Sequence, residues 1–279
     1  LQESFGCPVR LDLSQTILTM GIVNSNDIEE TASVQRFVAE VSAGDYSGLL
    51  SALTLNELTP AHFLAEFSKR RFLNVPMIPA ESGVYQAVLS SQVVNNILIT
   101  AWQMFTAKRA QSQSTPFAGK ENTKIFSDCI TIRDYKGGND SQNSTQCGFS
   151  WKMDCEGVPS RDLTLVENGV LKGWMHNLST ARKAGSVSTG NAGRKTLLSG
   201  NIHTLNVVSG DFSFPCKAVR IKGGKPVGMM EGLTMSGTVA DLFANVLLLG
   251  KDREINPLVM YDSYTVSGPE MLVAGLKIS

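Results

Sequence analysis

The stretch MDCEGVPSRDLTLVENGVLKGW, Met153 to Trp174, contains the clearest fold signal in this chain. Its second half predicts a β-hairpin, because apolar residues lead into and out of the dipeptide Asn168-Gly169. Asn-Gly supplies the two positive φ angles that a two-residue hairpin turn requires. Ahead of the hairpin lies an acidic segment, Asp154-Cys155-Glu156-Gly157, called here the acidic knot. A thiol between two carboxylates raises the question of whether this segment is a chemical site or only the entry into a strand.

Strand and hairpin patterns continue on both sides of this stretch. A second hairpin is predicted over Val219–Val227, with Gly223-Gly224 at its tip. Further strand-like segments, at the two ends of the chain, are Val9–Leu13, Ile17–Val23, Leu258–Met260, Tyr264–Val266 and Leu272–Ile278. The chain after Cys147 is therefore expected to be rich in β-structure.

Helical patterns are found mainly in the first half of the chain. In SSQVVNNILITAWQMF, apolar residues recur every three or four positions, which predicts a helix with one buried side. The other predicted helices are Glu29–Val41, Asn56–Phe72 with Thr59-Pro60 as its opening, and Thr238–Leu249 with Gly250 as its stop. Two polar segments, Gln111–Asn122 and Tyr135–Gln146, are predicted to be surface loops. The sequence thus predicts an α+β fold, with an α/β part over residues 1–120 and a β-rich domain over residues 121–279.

Composition and charge narrow the functional class. The 279 residues hold 25 Lys and Arg against 25 Asp and Glu, so the formal net charge is zero, which argues against a nucleic-acid-binding surface. No apolar run reaches the length of a membrane span, and the N-terminus shows no secretion signal. Five scattered cysteines without a CxxC pair favour reduced thiols, and we therefore expect a cytoplasmic protein without a membrane anchor.

The sequence holds no metal-binding motif. Its three histidines, His62, His176 and His203, form no HExxH pair, and His62 with Glu66 is a spacing typical of a solvated helix face. A set built from His176 and the cysteines 147, 155 and 216 matches no zinc framework. We expect no cofactor in this chain.

A nucleophile pair of Cys155 and His176 is the second chemical possibility. The carboxylates of Asp154 and Glu156 disfavour the thiolate that such a nucleophile needs. The acidic knot is better explained as architecture, a tight bend at Gly157 that leads into the hairpin.

The third candidate is the segment STARKAGSVSTGNAGR, Ser179 to Arg194. Its glycines allow a backbone to approach a ligand closely, and its arginines can hold carboxylates or peptide carbonyls. It lacks the glycine spacing of phosphate-binding loops. The alternative is an ordinary glycine-rich surface loop.

The order of these motifs resembles the TldD/PmbA family, once called modulators of DNA gyrase. The resemblance rests on FSDCITIRDY, the acidic knot with its Glu-Gly-Val, the ENGVL hairpin, the STAR element and the STGNAG loop, followed by SGDFSF and the ending EMLVAGLKIS. It implies a two-lobed fold with an α/β N-terminal part and a β-rich C-terminal domain, in dimers that enclose a peptide-accepting cavity. In the TldD branch a helix carries HExxxH, and a cysteine near the C-terminus completes a zinc site for peptidase chemistry. The PmbA branch, also called TldE, lacks the histidines and serves as the partner subunit.

This chain resembles the PmbA branch. The helix that should carry HExxxH, SSQVVNNILITAWQMF, contains no histidine, and no cysteine follows Cys216. The resemblance therefore implies a non-catalytic subunit of a cytoplasmic metalloprotease complex, with the zinc in a TldD-like partner. It also makes Arg182, Thr189, Asn191 and Arg194 candidates for peptide binding.

Two alternatives stay open at this point. The chain could be an independent enzyme in a homodimer, with chemistry at Cys155, at His176 or in the Ser179–Arg194 segment, or a binding protein of the gyrase-modulator type. We expect a dimer whose interface lies in the β-rich half. Exposed hairpin edges at Asn168-Gly169 and Gly223-Gly224 would need to be covered, and a dimer interface would cover them.

Overall fold

The structure, a computed structural model, describes residues 8–43, 46–52, 54–69, 75–134, 153–193, 210–255 and 266–279. Contacts within the chain group it into two compact units, and each unit is discontinuous in sequence. The first comprises Leu1–Met20, Ala32–Glu81 and Cys216–Leu233, and the second comprises Gly21–Thr31, Ser82–Pro215 and Thr234–Ser279. The sequence division into residues 1–120 and 121–279 stays a prediction.

The described residues form a mixed, strand-rich α/β fold. Its elements are β1 (Val9–Val23), β2 (Glu29–Ala43), β3 (Tyr46–Ala52), α1 (Pro60–Lys69), β4 (Gly83–Leu89), α2 (Ser91–Ala101), α3 (Ala107–Gln111), β5 (Ile132–Asp134), β6 (Leu163–Glu167), β7 (Val170–Leu171), α4 (Leu178–Lys183), β8 (Asp211–Lys222), β9 (Lys225–Thr238), α5 (Val239–Ala244), β10 (Val246–Ile255) and β11 (Ser267–Ile278). Short 3-10 turns occupy Leu55–Glu57 and Trp102–Phe105. No helix among the described residues is long and apolar enough to cross a membrane.

The first sheet has the order β1-β2-β3. Strand β1 confirms the two strand segments predicted between Val9 and Val23, but the helix predicted over Glu29–Val41 is wrong, because this segment is β2. Burial along β2 follows a period of two: Ala39, Val41 and Ala43 are buried and pair with β3. That alternation is the signature of a strand with one covered face. Phe63 of α1 packs on Ala39 and Val41, so the predicted helix between Asn56 and Phe72 is confirmed over Pro60–Lys69.

The second sheet has the order β10-β11-β9-β8, and β4 pairs with β11. Helix α2 packs against β11, so the predicted helix with one buried side is confirmed. Val94 and Ile97 of α2 are fully buried, and so is Val273 of β11. The predicted strand Leu272–Ile278 and the predicted Gly223-Gly224 hairpin are both confirmed.

The helix predicted over Thr238–Leu249 is only half as long as expected. Thr238 caps α5, accepting a hydrogen bond from the backbone N–H of Asp241, and the helix ends at Asn245. The apolar run that follows is strand β10, in which Val246 pairs with Val273 and Leu248 with Leu272. Pairing with β11 explains this difference, since a short apolar run is compatible with either state. Gly250 lies inside β10 and stops no helix.

The third sheet, β5-β6-β7, contains the Asn168-Gly169 hairpin. The predicted turn is confirmed, because both residues have positive φ, 48° and 78°. The expectation that this hairpin has an exposed edge is wrong. The Gly169 N–H donates to the Ile130 carbonyl, and its own carbonyl accepts from Ile125 and Phe126, so residues of the same chain cover it.

The segment Gln111–Asn122 is more than a surface loop. Thr115 and Phe117 are 6% and 1% exposed, and the Phe117 ring stacks on that of Phe105 at 5.5 Å. The predicted loop Tyr135–Gln146 and the predicted strands Leu258–Met260 and Tyr264–Val266 lie wholly or mostly outside the described residues.

Candidate functional site

The acidic knot is built around the carboxylate of Asp154, which is 8% exposed. Its Oδ1 accepts hydrogen bonds from the backbone N–H groups of Glu156 at 2.9 Å and Val158 at 3.0 Å. The carbonyl of Asp154 accepts from Gly157 N–H at 3.0 Å, and Gly157 has a φ of 77°. These bonds are those of a tight bend, in agreement with the architectural interpretation of the knot.

The knot also holds the segment that carries the STGNAG motif, Ser186 to Gly193, called here the glycine loop. Oδ2 of Asp154 accepts from the N–H of Ala192 at 2.9 Å, and the N–H of Cys155 donates to the Ala192 carbonyl at 3.0 Å. Glu156 turns to the other side, where its Oε2 accepts from the N–H of Leu178 at 2.7 Å. The knot thus fixes both the glycine loop and the first turn of α4.

Helix α4 occupies the first part of the candidate segment. Asn177 and Thr180 form a capping box: Asn177 Oδ1 accepts from Thr180 N–H at 2.8 Å, and Thr180 Oγ1 accepts from Asn177 N–H at 3.0 Å. The helix ends in a Schellman motif, in which Ser186 N–H donates to the Ala181 carbonyl at 2.9 Å and Gly185 has a φ of 61°. Two well-formed ends therefore define a short helix whose intrinsic stability is low.

Thr189 and Ser188 fasten the glycine loop to the backbone of His176. The hydroxyl of Thr189 accepts from His176 N–H at 2.7 Å and donates to the His176 carbonyl at 3.1 Å. The hydroxyl of Ser188 donates to the same carbonyl at 3.1 Å. Both residues are buried, with 6% and 4% exposure, so the hydroxyl of Thr189 is engaged in holding the loop.

Gly190 lets the loop pass close to the chain ahead of β6. A Cβ at this position would lie 2.5 Å from the Pro159 carbonyl oxygen and 2.8 Å from the Ser160 Cα. Its φ of 71° also favours glycine. Only a residue without a side chain allows this approach.

Asn191 faces a carboxylate on one side of its amide. Its Nδ2 donates to Asp134 Oδ2 at 2.5 Å. Because an ionised carboxylate can only accept, this contact fixes which end of the amide is nitrogen. The Oδ1 then points away from Asp134, and it is buried without a hydrogen-bond partner among the described residues. The orientation of the Asn191 amide is therefore fixed, and its buried Oδ1 is an acceptor that no described donor satisfies.

The imidazole of His176 lies beside the same loop. Burial lowers the pKa of His176 from its ordinary value of 6.5, although a hydrogen bond with the Thr180 backbone and the charge of Glu121 act in the opposite direction. Its Nδ1 has no hydrogen-bond partner among the described residues. The lowered pKa of His176 favours a neutral ring at physiological pH.

The other candidate residues lie outside the glycine loop or outside the described residues. Arg182 is exposed in the last turn of α4, and Cys155 is an exposed thiol of the knot. Arg194 lies outside the described residues. The structure thus brings Thr189 and Asn191 together in one loop, with Arg182 on the helix before it.

For two residues of this site, the local sequence gave no indication of a role. Asp134 orients Asn191, and Arg161 donates from its guanidinium to the carbonyls of Ser188 at 2.5 Å and Val187 at 3.3 Å. Both contacts join residues far apart in sequence, so the local sequence did not indicate a role for Asp134 or Arg161.

The helix that the resemblance identifies as the carrier of the zinc motif does not fit zinc. Helix α2 and the 3-10 turn after it, Ser91 to Phe105, contain no His, Cys, Asp or Glu, the residue types that bind zinc in proteins. The polar residue Asn95, 1% exposed, lies on the buried side of this helix. Among the described residues no group of three or more His, Cys, Asp or Glu side chains is arranged to hold a metal.

The PmbA/TldA metallopeptidase C-terminal domain family matches residues 82–204 and 196–279. The Metalloprotease PmbA homolog of Buchnera aphidicola is 23% identical over 215 residues, which cover 68% of this chain and 46% of that protein. The chain spans about half the length of the curated relatives it matches.

Solved structures show the same fold. A protein described as a modulator of DNA gyrase from Thermotoga maritima has a TM-score of 0.77 at 23% identity, with 96% of this chain and 68% of that chain covered. TldE from Thermococcus kodakarensis has a TM-score of 0.71 at 17% identity, with coverages of 96% and 68%. The family match extends over more than half of the sequence and includes the knot, the hairpin and the glycine loop. This chain belongs to the TldD/PmbA family.

Proposed function

We propose that this chain is a PmbA/TldE-like subunit of a cytoplasmic peptide-processing metalloprotease complex. It has no zinc site of its own and forms part of the substrate chamber beside a zinc-bearing TldD-like partner. The observation that carries the proposal is the side-chain set of Ser91–Phe105, where a chain of a metallopeptidase family offers no zinc ligand. The likeness to TldE supports it at the level of the fold.

The role of the glycine loop is to bind peptide backbone. Asp134 orients the amide of Asn191, and its buried Oδ1, which has no donor among the described residues, is the acceptor that we assign to a peptide N–H. Arg182, exposed on α4, can donate to a peptide carbonyl or carboxylate, and Arg194 is proposed for the same role. Thr189 contributes by keeping the loop attached to His176.

The experiment measures turnover of one peptide by this chain alone, by this chain with a TldD-like partner, and by the pair with Asn191→Ala. We expect no turnover by the chain alone and turnover by the pair. Loss of one hydrogen bond costs about 0.5–1.5 kcal/mol, so Asn191→Ala should raise KM by up to about tenfold with little change in kcat. Ser179→Ala, an exposed change on α4, is the matched control and should leave both constants unaltered.

One further candidate function is kept because the thiol of Cys155 is exposed. An independent thiol enzyme would turn the peptide over without a partner, would resist a zinc chelator, and would lose activity in Cys155→Ala. That combination would overturn the subunit proposal. Absence of turnover by the reconstituted pair would contradict it as well.

A further inference from the structure

The tip of the β1–β2 hairpin belongs to the same compact unit as the acidic knot and the glycine loop. Asn24 shapes this tip. Its backbone N–H donates to the Ile28 carbonyl at 3.0 Å, and its Oδ1 accepts from the N–H groups of Asn26 at 2.8 Å and Ile28 at 3.4 Å. With Oδ1 turned to its own backbone, the Nδ2 end of the amide is the part that faces outward from the turn.

That outward end lies on the knot. A Cβ built on Gly157 would be 2.8 Å from Asn24 Nδ2 and 3.0 Å from Ile28 Cδ1. Gly157 is itself buried and has a φ of 77°, so its backbone conformation and its neighbours both require glycine. The tip and the bend of the knot are therefore packed without space for one methyl group.

Hydrogen bonds connect the knot to the candidate site. Asp154 and Cys155 hold Ala192 through two hydrogen bonds of 2.9 and 3.0 Å, and Asn191 precedes Ala192 directly. Glu156 holds the first turn of α4 at Leu178 N–H. A shift of the bend at Gly157 would thus displace both ends of the segment to which we assign peptide binding.

We propose that the β1–β2 tip is a positioning element of the candidate peptide site, with Asn24 and Ile28 as the positioning residues. They act through Gly157 and Asp154 and set the orientation of Asn191. Nothing in the local sequence NSNDI connects it to a site more than a hundred residues later. The effect on turnover rests on the proposed function, whereas the effect on the glycine loop does not.

The direct test is hydrogen exchange in the purified full chain. Asn24→Ser keeps a side-chain oxygen for the turn and removes Nδ2, and Ile28→Ala removes Cδ1. Opening of the bend should make the amides of Cys155 and Ala192 exchange about threefold faster or more in each variant. Ser25→Ala, an exposed change at the same tip, is the control and should leave both rates unchanged. Unchanged rates at Cys155 and Ala192 in both variants, with the chain folded, would overturn the proposal.

A double-mutant cycle distinguishes a specific contact between the tip and the knot from a general loss of structure. The positive-φ strain of Gly157→Ala is the same with Asn24 or with Ser at position 24, so it cancels in the cycle. The contact with Nδ2 exists only with Asn24, and Gly157→Ala should therefore accelerate the exchange of Ala192 less in the Asn24→Ser background. Additive effects would contradict a contact between tip and knot.

The functional arm uses the reconstituted pair. Asn24→Ser should raise KM for the peptide by a few-fold at constant kcat, since a misplaced Asn191 weakens binding rather than chemistry. Faster exchange with unchanged KM would overturn the link from the tip to the peptide site. If the pair shows no turnover at all, the proposed function fails, and the exchange experiment still decides whether the tip positions the loop.

Discussion

At the scale of single residues, Gly190 decides whether the glycine loop can follow its path. It combines a φ of 71° with a Cβ position 2.5 Å from the Pro159 carbonyl oxygen. Gly185 in the same segment has a similar φ of 61° but nothing within 4 Å of its Cβ position. A comparison of alanine substitutions at these two glycines therefore separates the cost of backbone strain from the cost of a steric clash.

We expect Gly185→Ala to lower the free energy of unfolding by about 1 kcal/mol, the usual cost of a left-handed residue with a side chain. Gly190→Ala adds a clash with backbone and should cost about 2–4 kcal/mol. Urea unfolding of the two variants measures the difference. Equal costs would mean that the loop moves away from Pro159 without penalty, which the close approach in the structure contradicts.

His176 makes the stability of the fold depend on pH. Its pKa is lowered by burial, so the unfolded chain binds a proton at a higher pH than the folded chain does. In the window below the ordinary value of 6.5 the unfolded state binds more protons, and stability falls as the pH falls through this window. The stabilisation is fully present above 6.5 and is lost progressively towards the folded-state pKa.

His176→Gln should therefore lose less stability than the unchanged chain between about pH 7.5 and about pH 5.5. Chemical unfolding at several pH values gives the two curves. Ser179→Ala, an exposed neutral change on α4, is the control and should keep the pH dependence of the unchanged chain. Parallel curves for His176→Gln and the unchanged chain would rule out this residue as the source.

At the scale of secondary-structure elements, Asp154 is the point where the knot and the glycine loop are joined. It accepts three backbone hydrogen bonds, two within the knot and one from Ala192. Asp154→Asn keeps an oxygen for the bend and places an N–H group opposite the N–H of Ala192. Asp154→Ala removes all three acceptors.

Hydrogen bonds to a charged group contribute about 1.5–3 kcal/mol each and are not additive, so Asp154→Ala should cost about 3–5 kcal/mol. Asp154→Asn should cost about 2 kcal/mol, because only the Ala192 contact is lost. Thermal and urea unfolding measure both values. Asp241→Ala, an exposed acid at the start of α5, is the control and should cost about 1 kcal/mol or less. An Asp154→Asn variant as stable as the unchanged chain would show that the knot does not hold the loop.

Local sequence signals predicted some elements and missed others for a physical reason. The Asn168-Gly169 turn and helix α2 were predictable, because turn chemistry and the 3.6-residue period are properties of neighbouring residues. Strands β2 and β10 were not, since their strand state depends on pairing with β3 and β11. The candidate site shows the same limit: Asn191 meets Asp134 across 57 positions, and Ala192 meets Asp154 across 38. Motif order located the glycine loop, but only the structure shows what holds it.

At the scale of the whole molecule, two sheets and a short three-stranded sheet account for most of the described structure, and the helix that the family resemblance identifies as the carrier of the zinc motif is apolar on its buried side. Helix α2 has the buried face expected of a structural helix, with Val94, Ile97 and Ala101 at 0% exposure. Helix α2 packs against β11 through this buried face. The lack of His, Cys, Asp and Glu in Ser91–Phe105 is the property on which our proposal assigns the chain to the PmbA/TldE side of the family.

The last prediction concerns the zinc content of this chain, both alone and in the assembled pair. Zinc in proteins is normally held by three or four Cys, His, Asp or Glu ligands, and Ser91–Phe105 supplies none. The chain purified alone should carry far less than one zinc ion, and the pair with a TldD-like partner should carry about one. Elemental analysis of both samples measures this, and a chelator should stop turnover by the pair while leaving the unfolding temperature of the chain alone unaltered. One zinc per chain in the sample without partner, lost in Cys155→Ser but retained in the exposed control Cys129→Ser, would place a metal site at the knot and contradict the proposal.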